Sequence, residues 1–146
     1  MNRREQLLQV LEHDIHRDCD DYAGLHGLMQ SLYQQLLERN SANIERINTQ
    51  INVVLERVRA RTQRRSKILA AFGLGSGTAA MNQAFSLFPE NRREALQQQW
   101  RGLAELVKQA KQLNERNGKL LAMHNDILNQ LLAADRDPQV YTQQYL

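Results

Sequence analysis

Residues 5–38, EQLLQVLEHDIHRDCDDYAGLHGLMQSLYQQLLE, repeat apolar side chains alternately three and four positions apart, through Leu8, Leu11, Ile15, Tyr22, Leu25, Met29, Leu32 and Leu36. Only Asp18 interrupts the series. That spacing is the two-position seam of a long helix packed against neighbours in coiled-coil fashion. Leu7, Leu28 and Leu37 widen the stripe toward the face of a helical bundle.

The same spacing recurs twice more. Asn40 and Ser41 form a break and a helix start, after which Ile44, Ile47, Ile51, Val54, Val58, Arg61, Arg65, Ile68 and Phe72 make a seam that is aliphatic at first and basic from midway. Gly73, Gly75 and Gly77 end this helix, with Gly73 in the place of a left-handed C-cap. No Lys-Ser or Lys-Thr pair follows them, as a phosphate loop requires. Thr78 to Leu87 suit two turns of helix, with Met81, Phe85 and Phe88 directed at the end of the bundle. Pro89 and Asn91 open a third long helix, in which Asn91 and Glu94 have the spacing of a capping box. Its seam passes through Leu96, Gln99, Leu103, Leu106, Ala110, Leu113, Asn117, Leu120, His124, Ile127 and Leu131, and Asp135, Asp137 and Pro138 stop it.

The expected fold is therefore all-α: an elongated antiparallel bundle of three long helices plus one short connecting helix, packed in coiled-coil fashion. It forms a single domain over 1–146, with long helices at 3–39, 42–72 and 91–134, a short helix at 79–87 and a flexible tail at 135–146. Three helices leave open a groove that a fourth would fill.

Composition narrows the function. Residues 1–39 hold four Arg against seven Asp and Glu, and residues 40–72 hold seven basic residues against two acidic ones, so the two helices attract when packed side by side. The basic run RVRARTQRRSK, Arg57 to Lys67, has no aromatic interleaved for stacking on bases, and an acidic helix opposes it in the same chain. A nucleic-acid module is thus the weaker reading. The start, MNRREQLLQVLEHDIHRD, is charged throughout where a signal peptide has an apolar core, and no apolar run reaches the length of a membrane helix. A soluble cytoplasmic protein is expected. Cys19 is the single cysteine and has no activating neighbour in sequence. His13 and His16 lack the glutamates of a carboxylate-bridged metal site, and no nucleophile–base constellation is present. Neither catalysis, metal nor cofactor is expected.

The informative stretch is Leu113 to Leu132, LNERNGKLLAMHNDILNQLL. Asn117 and His124 occupy seam positions one heptad apart, while Leu121, Leu128 and Leu132 form a second row beside the seam. More leucine is present than one core-facing stripe requires, and an amphipathic partner helix lying in the open groove would cover it. The candidate contacts are Leu120, Leu121, Ile127, Leu128, Leu131 and Leu132, with Asn117 and His124 fixing register. The competing reading gives the same leucines to the chain's own core, to a homodimer or to a structural homo-oligomer without a client.

The stretch resembles the FlgN family of flagellar type III export chaperones. Leu113, Asn114, Asn117, Gly118, Leu120 and Leu121 match the family pattern L-N-x-x-N-G-x-L-L, and Pro138 to Tyr141 match P-x-x-Y. The AAFGLG break and Trp100 early in the last helix also fit. Family members continue Y-G-x-x-G where this chain has Tyr141-Thr142-Gln143-Gln144-Tyr145. The resemblance implies a cytosolic chaperone that binds the C-terminal helices of hook-associated (junction) proteins through its last helix, and contact between Tyr141 and the cytoplasmic domain of the export gate.

Overall fold

The computed structural model describes residues 2–136, which form four helices and no strand: α1 (Arg3–Glu38), α2 (Ser41–Ala71), α3 (Thr78–Phe85) and α4 (Glu90–Arg136). Consecutive long helices run antiparallel, as the all-α bundle reading requires. The end of the chain expected to be a tail begins inside α4, and its remainder, residues 137–146 with Tyr141, lies outside the described residues.

Local chemistry sets the breaks. The Asn2 side chain accepts a hydrogen bond from the Glu5 N–H and starts α1. α1 ends at Arg39, the single non-glycine with positive φ among the described residues, at 56°. This lets the Asn40 N–H reach back to the Gln35 carbonyl. Asn40 then caps α2 by accepting from the Asn43 N–H. At the other end of α2, Gly73 turns left-handed with φ 72°. The Leu74 N–H bonds to the Leu69 carbonyl, so the glycine does serve the C-terminus as its position predicts. The expected capping box does not form. α4 begins one residue early at Glu90, with the Pro89 carbonyl receiving the Arg92 and Arg93 N–H groups, which places Asn91 inside the helix.

The core is split in two. Near the N-terminus of α1, Leu8, Leu11, Ile15, Ile68 and Leu69 pack with Met81, Phe85, Phe88 and Leu96, so α3 seals that end. The second cluster joins Leu25, Met29, Leu32 and Leu36 to Ile47, Ile51, Val54, Val58 and Ala110. Between the clusters lies a layer of charge. Asp18, only 1% exposed, accepts from Arg61 Nε and from Arg65 Nη1, the latter at 2.8 Å. Buried Asp14 holds Arg64 through two bonds of 2.7 Å each, and Asp21 receives Arg57 and Arg61. The one break in the first seam and the basic turn of the second are two halves of the same contact.

Helix α1 is central, flanked by α2 and α4, and no Cα of α2 comes within 8 Å of one of α4. Packed helices have axes about 8–10 Å apart, which brings some Cα atoms closer than that. A furrow therefore separates α2 from α4.

Removing Asp18 would leave Arg61 and Arg65 without their buried acceptor. Asp18→Ala is expected to cost about 3–5 kcal/mol, read as a lowered urea midpoint, whereas Glu12→Ala, which cuts a half-exposed pair with Arg92, should cost under about 1 kcal/mol. Within the layer, Asp21 titrates. Burial pushes the Asp21 carboxyl up, but hydrogen bonds and charge from Arg61 and Arg57 outweigh it and hold it below its usual range. A carboxyl depressed in the folded state stabilises above its unfolded pKa and loses that contribution as pH falls. The melting temperature should therefore drop as pH is lowered below about 4, and Asp21→Asn should flatten that dependence.

Candidate functional site

Helix α4 outlasts its support. Leu96, Leu103, Ala110 and Asn117, spaced by seven, are all buried; the next seam residue, His124, is half-buried, and the one after it, Leu131, is 60% exposed. The alignment of the helices explains the gradient. α1 and α4 run parallel, with Glu12 beside Arg92, Cys19 beside the Gln99 carbonyl, and Met29 beside Asn117. The paired positions differ by 80 at Glu12 and Cys19 and by 88 at Met29, so Glu38 is matched between residues 118 (38 + 80) and 126 (38 + 88), and the last 10 to 18 residues of α4 (136 − 126, 136 − 118) pass the end of α1. That overhang is about 15–27 Å long.

The inner side of the overhang forms one wall of a groove of about 680 Å3. Leu121, His124, Ile127, Leu128 and Leu131 line it from α4, while Leu36, Ile44, Asn48 and Asn52 face them from α1 and α2. Its charged lining residues, Arg39 and Glu45, are of opposite sign. The arrangement offers apolar surface on one wall and neutral hydrogen-bonding groups on the other, which suits an amphipathic helix.

The residues singled out in the sequence divide three ways. Five of them line the groove, and Leu132 is 54% exposed beside it. Leu120 packs half-buried against the second core cluster. Asn117 is buried at 4% exposure and donates from Nδ2 to the Met29 carbonyl at 2.9 Å, so it faces α1 inside the bundle. Its Oδ1 has no hydrogen-bond partner in the described structure. Beside it, the Arg116 guanidinium lies 3.7 Å from the ring centroid of Tyr33, a cation–π contact that anchors α4 to α1 where the overhang begins. The α2 wall was missed in the sequence reading. Asn48, Asn52 and Thr49 lie off the seam of their helix and look like ordinary solvated positions, and nothing local shows that α4 stands opposite.

The basic run of α2 is not a free patch. Arg57, Arg61, Arg64 and Arg65 are all engaged by aspartates of α1. Among the described residues no group of three or more His, Cys, Asp or Glu is arranged to hold a metal ion, and no helix is long and apolar enough to cross a membrane.

A family model described as FlgN protein matches residues 1–140. No curated protein and no solved structure matches the chain.

Asn117→Leu tests what the buried amide does. The change removes an unpartnered Oδ1 and adds apolar contact, so stability should hold or rise by about 1 kcal/mol. Alignment of α4 on α1 should become less unique, read as doubled amide resonances for residues 117–133 by NMR.

Proposed function

The chain belongs to the FlgN family, and from that premise we propose that it is a cytoplasmic export chaperone of the flagellar type III secretion system, binding the C-terminal amphipathic helices of hook-associated proteins before they are exported. The observation that carries this reading is the seam of α4 continuing past the end of the bundle. Leu121, Leu128, Leu131 and Leu132 are each 45–60% exposed among the described residues. Burying such side chains contributes about 1.5–3 kcal/mol each before the entropy of ordering is subtracted, so four of them sustain a specific complex. A client helix in the groove would stand where the fourth helix of a bundle stands, and would be kept from self-association until delivered.

Asn117 acts in this scheme from within, by fixing where along α1 the overhang begins. His124 sits at the groove, where it offers a hydrogen bond to a polar client residue and thereby a register. Tyr141 is proposed, on the family resemblance, to meet the cytoplasmic domain of the export gate. A homodimer through the same leucines is the competing occupant, and it predicts a mass that doubles with concentration in light scattering.

Leu128→Asp combined with Leu132→Asp should weaken binding of a client C-terminal peptide by more than about a hundredfold. The helical circular dichroism and melting temperature should stay unchanged, because both side chains are exposed in the free chain. Unaltered binding in calorimetry would remove the overhang from the site. Tyr141→Ala should leave peptide binding intact and reduce retention of the gate's cytoplasmic domain in a pull-down.

A further inference from the structure

The furrow between α2 and α4 does not end with the overhang. At the waist of the bundle a second opening of about 470 Å3 lies between Val58 and Thr62 of α2 and Trp100, Leu103 and Val107 of α4. Both openings lie on the side of the bundle where no Cα of α2 comes within 8 Å of one of α4. Trp100, Val107, Asn114, Leu121 and Leu128 follow at intervals of seven, so they form one stripe along one side of α4. Its first two members line the waist and its last two line the far groove. Trp100 packs half-buried against the first core cluster and edge-on to Phe85, whereas Val107, Leu121 and Leu128 are all exposed. Asn114, also exposed, interrupts it midway.

Charge distinguishes the two ends. In the ion layer the four arginines Arg57, Arg61, Arg64 and Arg65 share three carboxylates, those of Asp14, Asp18 and Asp21. Arg65 reaches the waist opening, with its guanidinium 5.2 Å from the Trp100 ring. Arg101 lines the same opening and has no ion pair among the described residues, while the opening's one carboxylate, Asp18, is already shared by Arg61 and Arg65. The waist thus carries surplus positive charge, whereas Arg39 and Glu45 balance at the far end.

We infer that the whole furrow, from Trp100 to Leu131, is the seat of a single partner helix of about thirty residues, since α4 spans about 45 Å between those points. The inference rests on the client reading above and extends it. The partner presents an apolar heptad stripe to α4, amide and hydroxyl side chains to Asn52 and Thr62 of α2, a hydrogen-bonding residue opposite Asn114, and a carboxylate at the waist beside Arg101. The charge difference sets its direction: the acidic end lies at Trp100 and the neutral end at the overhang.

Trp100 is the only tryptophan, so its emission reports the waist alone. The full chain is titrated with a dye-labelled synthetic peptide of about the last forty residues of the hook-associated protein of the same organism, enough to cover the furrow as a helix, with anisotropy and Trp100 emission recorded together. The peptide should be chosen free of tryptophan. The expected result is a blue shift of Trp100 emission that saturates with the anisotropy, a loss of about tenfold or more in affinity for Val107→Asp, and a loss for Arg101→Glu that shrinks as salt is raised. Val107 and Arg101 are exposed in the free chain, and circular dichroism checks that both variants stay folded. Binding without any change at Trp100, and with Val107→Asp neutral, overturns the furrow while leaving the overhang as the client site. Absence of binding by anisotropy overturns both readings. An emission shift that follows chain concentration without peptide gives the waist to a second copy and likewise overturns the inference.

Discussion

The pairing of Asp14, Asp18 and Asp21 with the arginines of α2 is the constraint on which the rest of the bundle depends. A buried carboxylate without a partner costs several kcal/mol. The apolar seams alone would tolerate sliding α2 along α1 by one heptad, since aliphatic side chains of similar size recur every seven positions. Such a slide would set Asp18 against Val54 or Ile68 in place of Arg61, and the loss of the charge pairing makes it prohibitive. The ion layer therefore selects one antiparallel register. It also separates two apolar clusters, one closed by α3 and the other open beside α4. Apolar residues of matching volume at these sites would pack at least as stably, which makes register the contribution that charge supplies here.

With α2 held, α4 has one surface left to cover, and it takes α1. Packing on α1 with no Cα within 8 Å of one in α2 leaves a three-helix arrangement with a furrow where a fourth helix would stand. The overhang follows from lengths. α4 has 47 residues against 36 in α1, and it begins about two turns along its neighbour, so the excess emerges at the far end. A helix this short is marginal in water by itself. The overhang persists as a helix because it propagates from a packed segment and is rich in leucine and alanine, both favourable in helices. Its apolar side gains contacts only when something else arrives.

Much of this was legible in the sequence, and the illegible part has a common cause. The seams through Leu8 to Leu36, Ile44 to Phe72 and Leu96 to Leu131 located the long helices to within a residue or two, because helical periodicity is a local property of the chain. Asp18 and the pair Arg61 and Arg65 each read as a blemish in a single helix. Their meaning is mutual, and it appears only when the helices are set side by side. Asn117 read as part of a partner surface because its seam neighbours Leu113 and Leu120 are leucines, yet it turns inward to the Met29 carbonyl. Periodicity gives the side of α4 on which Asn117 lies, but α1 still covers that side at residue 117 and no longer does at residue 131.

The sequence by itself determined the helix count, the two-position seams, the surplus leucines of the last helix and the opposite charge of the first two, since each depends on spacing along one chain. Tertiary structure alone decided which neighbour each seam would meet, how far α4 would run beyond α1, and where the unfilled space would lie. Those outcomes depend on relative axial positions, which are fixed by contacts between residues 40 to 90 apart. The stretch from Leu113 to Leu132 is core at one end and open surface at the other for that reason: its pattern is uniform, and the length of the helix beside it is not.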